Sequence, residues 1–492
     1  MLLFEEKQTP SALEQLQSGA ATALHENANK DATVFNTQRD LTAGAVAKDY
    51  ALEHLLPRAV AEAHQSGDIH FHDLDYSPYA PMTNCCLIDI AGMLAEGFTI
   101  GNANVESPKS IQTAAAQVSQ IIANVASSQY GGCSVDRIDE VLAPYAELNY
   151  AKHLQDARRW VRPEQHEEYA AQKTAKDVYD SMQSLEYEVN TLYSSNGQTP
   201  FVTFGFGLGT GPWEREIQRA ILNVRIRGIG KDATTAIFPK LVFGLRRGTN
   251  LNPEDPNYDV KQLALECAAK RMYPDVLNFE KIVEITGSYK APMGCRSFLQ
   301  SWQDEAGHEV AAGRMNLGVV TVNLPRIALE TAPATGPAAS GTEREQALFR
   351  FWDLLDDRLE VARQALYYRV QRCTEARPEN APILYQHGAF GLRAERGDRV
   401  DEFFANGRAT VSLGYIGLYE VATAFFGPAW ESDPQAKAFT LEILARLKSH
   451  CHTWYEETPT STPAELHHQR TATPGMKRPV IGSRCTPHPP SR

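Results

Sequence analysis

An α/β body is the fold class this sequence predicts, and three observations predict it. Short apolar runs rich in Val, Ile, Thr and Phe alternate with longer helical patterns through most of the chain. At 492 residues the chain exceeds the size at which one core usually stops growing, so a large barrel or several domains are expected. A hydrophobic share of 43% and a charged share of 22% match an ordinary globular protein, with many strands buried on one or both faces.

Taken in order, residues 1–30 read as a helix, with Leu13, Leu16, Ala20 and Leu24 at helical spacing, and residues 43–66 as another. Between them, His25 to Asp31 is a capping and turn signal. The stretch Asp68 to Ile90 places His70, His72, Asp73 and Asp75 close together, then Pro78 and Pro81, then Cys85 and Cys86 ahead of an apolar run. The prolines exclude a regular helix there, so a strand, a constrained loop and a strand-edge cysteine are expected. Ser110 to Ser128 is a helix of Ala and Ile decorated by Gln112, Gln117 and Gln120. Gly131-Gly132 stops it, and a new helix is expected from Ser134.

A polar turn, Ser194, Ser195, Asn196, Gly197, Gln198 and Thr199, precedes the strand Phe201 to Phe206. Small residues with free N–H groups there suit phosphate oxygens, although no Walker or dinucleotide fingerprint matches. Thr235 to Leu245 is β-prone, and Lys261 to Met272 is helical, with Cys267 in its core face. Cys295 stands before another apolar strand, and Asn316 to Leu324 is a further strand. Thr331 to Thr342 reads as a surface linker, and Glu343 to Glu375 as one long amphipathic helix. Ala381 to Tyr385 and Ala409 to Gly417 read as β runs, and Pro434 to Trp454 as a helix. Thr458 to Arg492, rich in Pro, His and Arg, cannot build a packed core and is expected to be disordered.

A net charge of −12 argues against broad affinity for nucleic acid or an anionic membrane, while leaving room for a local phosphate pocket. The 8 cysteines form no Cys-x-x-Cys pair, so no zinc knuckle is visible, and scattered cysteines in a long chain read as reduced and cytoplasmic. No signal peptide and no membrane-spanning apolar run are evident. On spacing alone, Cys85 and Cys295 are either a redox or radical pair across a cavity or two inert core residues.

Several strings decide between these readings. His70-Phe-His-Asp-Leu-Asp-Tyr-Ser-Pro78, Ser184-Leu-Glu-Tyr-Glu-Val-Asn-Thr-Leu192, Asn196-Gly-Gln-Thr-Pro-Phe-Val-Thr-Phe-Gly-Phe-Gly-Leu-Gly-Thr210, Pro292-Met-Gly-Cys-Arg-Ser-Phe-Leu299 and Ser412-Leu-Gly-Tyr-Ile-Gly417 resemble the anaerobic (class III) ribonucleoside-triphosphate reductases. The resemblance runs in unbroken order from about residue 20 to about residue 457. It implies a ten-stranded α/β barrel of the glycyl radical enzyme type. It also implies a thiyl radical, carried over to Cys85, that abstracts the 3′ hydrogen of a ribonucleoside triphosphate. Cys295 then matches the second cysteine, a hydrogen-atom donor to the substrate radical. Asn316 matches a polar residue beside the ribose, with Asn323 as the fallback. The Ser194 to Thr199 turn becomes the expected triphosphate site, and His72, Asp73 and Asp75 hold the loop before Cys85. The Ser110 to Ser128 helix is expected in a homodimer face that binds a deoxynucleotide (dNTP) effector, with Lys109, Gln117 and Gln120 as effector contacts. Formate is the implied reductant, and an S-adenosylmethionine iron–sulfur enzyme is the implied activating partner.

The chain departs from the family pattern twice. It begins after the helical ATP-binding regulatory domain that members often carry. No four-cysteine zinc site and no Arg-Val-Cys-Gly-Tyr motif with a radical glycine are found, and Gly482 sits in the unrelated Ile-Gly-Ser-Arg-Cys485. The expected layout is a helical segment at 1–40, the reductase body at 41–457 and a foreign tail at 458–492, as in a truncated or frameshifted reading frame. The alternatives are an inactive nucleotide-binding remnant able to dimerise, and another glycyl radical enzyme such as a formate-lyase, suggested by the adjacent Cys85-Cys86.

Overall fold

The structure, a computed structural model, describes residues 33–292, 306–336, 339–405, 407–457 and 465–466. The expected helix at 1–30 and Cys295 lie outside the described residues, as does the tail beyond 457 apart from Glu465–Leu466. Elements in chain order are α1 (Phe35–Tyr50), α2 (Arg58–Ser66), β1 (Ile69–Phe71), β2 (Cys85–Leu87), α3 (Ile90–Glu96), β3 (Phe98–Ile100), β4 (Ala103–Val105), α4 (Ile111–Ser128), β5 (Cys133–Val135), α5 (Ile138–Trp160), α6 (His166–Thr191), β6 (Val202–Phe206), α7 (Pro212–Arg227), β7 (Lys240–Leu245), α8 (Tyr258–Arg271), β8 (Asp275–Asn278), α9 (Phe279–Thr286), β9 (Met315–Asn323), α10 (Leu324–Thr331), α11 (Gly341–Thr374), α12 (Pro382–Tyr385), β10 (Ala409–Ile416), α13 (Leu418–Phe426), α14 (Pro434–Glu457) and β11 (Glu465–Leu466).

The chain divides into two compact units, Met1–Thr83 with Asn316–Ala376 and Phe404–Arg492, and Asn84–Met315 with Arg377–Phe403. In the second unit, β2, β5, β6, β7 and β8 form a parallel run in that order. Parallel pairing needs crossovers, and α4, α5–α6, α7 and α8 supply them. Successive side chains on a strand alternate between faces, so register assigns each residue a side. Cys86 pairs with Cys133, Leu87 with Ser134, Ser134 with Thr203 and Gly205 with Val242. One face therefore carries Cys133, Val135, Val202, Phe204, Phe206, Leu241 and Phe243, all buried and mostly large and apolar. The other carries Cys85, Leu87, Ser134, Thr203, Gly205, Val242 and Gly244.

In the first unit, β1 runs antiparallel to β9, with Ile69 opposite Val322 and Phe71 opposite Val320, and β10 neighbours β9. Arg369 of α11 is fully buried there: its guanidinium lies 4.0 Å over the Phe71 ring and donates to His72 O at 2.6 Å. Positive charge over an aromatic face, plus a carbonyl acceptor, makes that burial tolerable.

Two expectations need correction. A strand, β5, stands at 133–135 where a helix was expected; that helix starts only at Ile138, because Asp136 turns the chain and Arg137 takes a left-handed φ of 50. Ala381–Tyr385 is a short helix opened by Pro382, because proline suits the first helical turn and gives no N–H to a ladder. Two residues of the tail are described, Glu465–Leu466, and they form β11, parallel to β10 with Thr410 opposite Glu465 and Val411 opposite Leu466.

Candidate active site

Cys85 opens β2 and is 8% exposed, whereas Cys86 is 0% exposed. Their sulfurs leave opposite faces of the strand. Cys86 points into the apolar face, where burial pushes its thiol pKa well up, and burial likewise pushes Cys133 up to about 12. Cys85 points to the other face, beside Leu87 and Ala311. Its thiol donates to Asn84 Oδ1 at 3.2 Å. The strand is held on both edges: Leu87 N donates to Arg314 O at 2.8 Å, Gly313 N to Leu87 O at 2.6 Å, and Cys86 N to Gly132 O at 3.3 Å.

The Gly131-Gly132 pair does more than stop α4. Gly131 N donates to Asn84 O at 2.9 Å, and a Cβ on Gly131 would lie 2.7 Å from Cys85 Sγ. Only a glycine allows the main chain to pass this close to the sulfur.

The stretch ahead of Cys295 crosses the same face of the sheet. A Cβ on Gly244 of β7 would meet the Tyr289 hydroxyl at 2.6 Å, and one on Gly205 of β6 would meet Ala291 Cβ at 2.8 Å. Ala291 N donates to Asp136 Oδ1 at 3.0 Å, just past β5, and Ser134 Oγ of β5 donates to Pro292 O at 2.8 Å. Residues 289–292 thus pass β7, β6 and β5 in turn, and the next strand in the order is β2, which carries Cys85. Asp136 is buried enough that its carboxyl is pushed up to about 6. Behind it, Asp139 accepts from Gly207 N at 3.1 Å and Gln218 Nε2 at 2.6 Å, and burial pushes it up to about 7.

The polar turn is folded onto the end of α4. Asn196 Nδ2 donates to Ala126 O at 3.1 Å and to Gln129 O at 3.2 Å, and Ser195 N donates to Ser127 Oγ at 2.9 Å. Ser194 N and Oγ both donate to Gln198 O, at 2.9 and 3.1 Å, and Gly197 N returns to Ser194 O at 3.0 Å. The Gln198 amide and the Thr199 hydroxyl take no hydrogen bond among the described residues. At the other end of α4, Gln117 is buried and its amide donates to Glu106 O at 3.0 Å, while Lys109 and Gln120 are exposed.

In the first unit, Asn316 of β9 is 3% exposed. Its amide donates to Thr410 Oγ1 at 3.2 Å and Ser412 Oγ at 2.9 Å, and its oxygen accepts from Gly318 N at 2.9 Å. Asn323 caps α10, accepting from Arg326 N at 3.3 Å and donating to Gly67 O at 2.9 Å. His72 Nε2 meets Thr321 Oγ1 at 2.8 Å, and burial holds its pKa down at about 4, so it ties the loop as a neutral ring. Asp73 takes a left-handed φ of 58, and a Cβ on Gly44 would lie 2.9 Å from Asp75 Cβ.

Sequence reasoning missed Gly131, Ser134, Asp136, Gly205 and Gly244. The repeated glycines of Gly205-Phe-Gly-Leu-Gly209 were the available signal, since glycine inside a strand marks close approach of another backbone. Among the described residues no group of three or more His, Cys, Asp or Glu side chains is placed to hold a metal. No helix among them is long and apolar enough to cross a membrane.

Comparison with known proteins bears on this site. The family model for anaerobic ribonucleoside-triphosphate reductase matches residues 26–478, past the point near 457 where the motif resemblance was expected to end. The chain is 56% identical over 439 residues to the anaerobic ribonucleoside-triphosphate reductase of Escherichia coli, covering 89% of this chain and 60% of that protein. It is 50% identical over 449 residues to that of Enterobacteria phage T4, covering 90% of this chain and 71% of the phage protein. The chain therefore spans about 60% of the length of the bacterial relatives it matches. A solved anaerobic ribonucleotide reductase from Thermotoga maritima, in complex with dATP and CTP, shares the α/β fold at a TM-score of 0.61 and 15% identity, over 93% of this chain and 70% of its own. A family match across nearly the whole chain, joined to half-identity with relatives, settles membership: this chain belongs to the anaerobic ribonucleoside-triphosphate reductase family.

Proposed function

We propose that the chain is the catalytic body of an anaerobic ribonucleoside-triphosphate reductase, a ten-stranded barrel in which Cys85 and Cys295 are the two working sulfurs. The observation that carries this reading is the passage of residues 289–292 across the face that bears Cys85, ending three residues before Cys295. Hydrogen-atom transfer to a substrate radical requires S–H, not thiolate, and the buried Cys85 thiol donates its hydrogen to the Asn84 amide oxygen. A site walled by strands also keeps a sulfur radical away from everything but substrate.

In this reading a thiyl radical on Cys85, which the family's radical glycine would generate, abstracts the 3′ hydrogen, the 2′ hydroxyl takes up a proton and leaves as water, the Cys295 thiol gives a hydrogen atom to the substrate radical, and Cys85 returns the 3′ hydrogen. Formate supplies the two electrons and leaves as carbon dioxide. The opposite orientation of Cys85 and Cys86 argues against the formate-lyase alternative, in which adjacent sulfurs act together. The Gln198 amide and Thr199 hydroxyl of the polar turn face the triphosphate. A solved anaerobic ribonucleotide reductase from Thermotoga maritima carries dATP in its specificity site, and in the present reading an effector nucleotide binds along α4 of a homodimer, by the exposed Lys109 and Gln120.

Turnover tests the proposal in the chain extended by the family's radical-glycine domain, whose motif this sequence does not show: the extended chain, kept anaerobic, is given the activating S-adenosylmethionine iron–sulfur enzyme, CTP, dATP and formate. Deoxynucleotide formation is expected in wild type and is expected to vanish in Cys85→Ala and Cys295→Ala, while Cys267→Ala retains it. Both site variants are expected to keep CTP binding by calorimetry. Turnover surviving in Cys85→Ala removes Cys85 from the chemistry.

A further inference from the structure

The amide of Asn316 can be read atom by atom. Gly318 N lies 2.9 Å from it, and a main-chain N–H only donates, so the atom facing Gly318 is the amide oxygen. Gly318 is itself packed from behind: a Cβ there would run into the side chain of Arg369, which is fully buried. The amide nitrogen therefore faces β10. Its two hydrogens go to Thr410 Oγ1 at 3.2 Å and to Ser412 Oγ at 2.9 Å.

The direction of the Ser412 hydroxyl follows. An amide N–H cannot accept, so Ser412 Oγ takes the bond through a lone pair and its own hydrogen points away from Asn316. Ser412 is 6% exposed, and among the described residues Asn316 is its one hydrogen-bond partner. A buried hydroxyl that accepts a bond and gives none leaves a donor unmade, which costs stability unless an acceptor arrives. Asn316, Thr410 and Ser412 are all uncharged, so the group they suit is a neutral oxygen, a sugar hydroxyl, in preference to a phosphate.

We propose that Ser412 touches the substrate, its hydroxyl donating to a ribose oxygen of the bound ribonucleotide, with Asn316 as the positioning residue that aims it. The inference rests on the reading in which Asn316 stands beside the ribose of a ribonucleoside triphosphate. It adds a second residue to that contact and gives each a direction: Asn316 donates to Ser412, and Ser412 donates to the sugar.

Calorimetry on the full chain, held at saturating dATP so that an effector site is filled, tests this with CTP, 2′-deoxy-CTP and 3′-deoxy-CTP. Wild type is expected to bind CTP about 5–10-fold tighter than one of the two analogues, the equivalent of one net hydrogen bond. The analogue that shows the difference names the oxygen. Ser412→Ala is expected to bind CTP as weakly as that analogue, while the analogue keeps its wild-type affinity. Ser412→Cys holds nearly the same volume with only a weak donor and is expected to match Ser412→Ala, so it reads the contact should Ser412→Ala fail to fold. A packing loss alone would weaken all three ligands together and leave their ratios unchanged. That result overturns the contact, as does a full wild-type preference for CTP in Ser412→Ala. Equal wild-type affinity for the three ligands overturns any ribose hydroxyl contact, and absence of CTP binding in wild type overturns the ribonucleotide reading itself.

Discussion

The backbone of Gly131 passes so close to Cys85 that a single added methyl would sit 2.7 Å from the sulfur. Gly131 is not in a left-handed conformation, so its role is steric. Its N–H also ties the main chain of Asn84 at 2.9 Å. The loop after α4 and the strand carrying the thiol are thereby locked together, and the position of Cys85 depends on a residue with no chemistry of its own.

Gly131→Ala is accordingly expected to push Cys85 out of its seat. Overpacking of this kind costs about 1–3 kcal/mol, read by chemical denaturation. The more telling measurement is alkylation of Cys85 by iodoacetamide, expected to change several-fold, while Cys267, buried on α8, keeps its wild-type rate. Unchanged Cys85 labelling and unchanged stability would show that the loop yields freely.

The Asp139 carboxyl gives a pH prediction. Its folded pKa, about 7, lies above the 3.8 of an unfolded Asp, chiefly because burial penalises the charge. A raised carboxylate pKa contributes stability that is complete below the unfolded value and is lost as pH rises through the folded value. Stability should therefore fall between about pH 4 and pH 7. Asp139→Asn keeps one oxygen for Gly207 N and Gln218 and cannot ionise, so its melting temperature is expected to fall less over that window. Parallel curves for the two proteins would show that Asp139 titrates normally.

How much of this was legible in the sequence depends on the element. The strand at 315–323 was visible because a continuous Val-rich run has no helical alternative, and the helix at 111–128 because its apolar period is unbroken. Strand β5 was not, because Cys133, Ser134 and Val135 form too short a run between a glycine pair and a helix to show any period. Cys85 was singled out by its neighbours in sequence. Ser134 and Asp136 were not, since their partners lie more than 150 residues away, and a strand register has to exist before their side chains share a face with that cysteine.

Two asparagines on β9 separate a site role from a capping role. Asn316→Ala strips a partner from Thr410, Ser412 and the Gly318 N–H inside a buried cluster, an expected loss of about 1–3 kcal/mol. Deoxynucleotide formation is expected to fall with it, because the amide is the polar group that the proposed ribose contact needs. Asn323→Ala removes the cap of α10 and is expected to cost about 0.5–2 kcal/mol with turnover retained. The reverse pattern, turnover lost in Asn323→Ala and kept in Asn316→Ala, would move the ribose contact to Asn323.

The helix α4 offers a last test, because its amides differ in what they already hold. Gln117 is buried and anchors the Glu106 carbonyl, so Gln117→Ala is expected to lower stability by about 1–3 kcal/mol without a direct loss of contacts to a nucleotide. Lys109 and Gln120 are exposed, and neither side chain supports the fold. Lys109→Ala is expected to weaken dATP binding, measured by calorimetry, and to do so more at low salt than at high, since an exposed ammonium meets a phosphate through a screened field. Gln120→Ala is expected to weaken it at every salt concentration alike, since a neutral amide contributes a hydrogen bond and not a charge. Equal dATP affinity in wild type, Lys109→Ala and Gln120→Ala would place the effector elsewhere and leave α4 as packing.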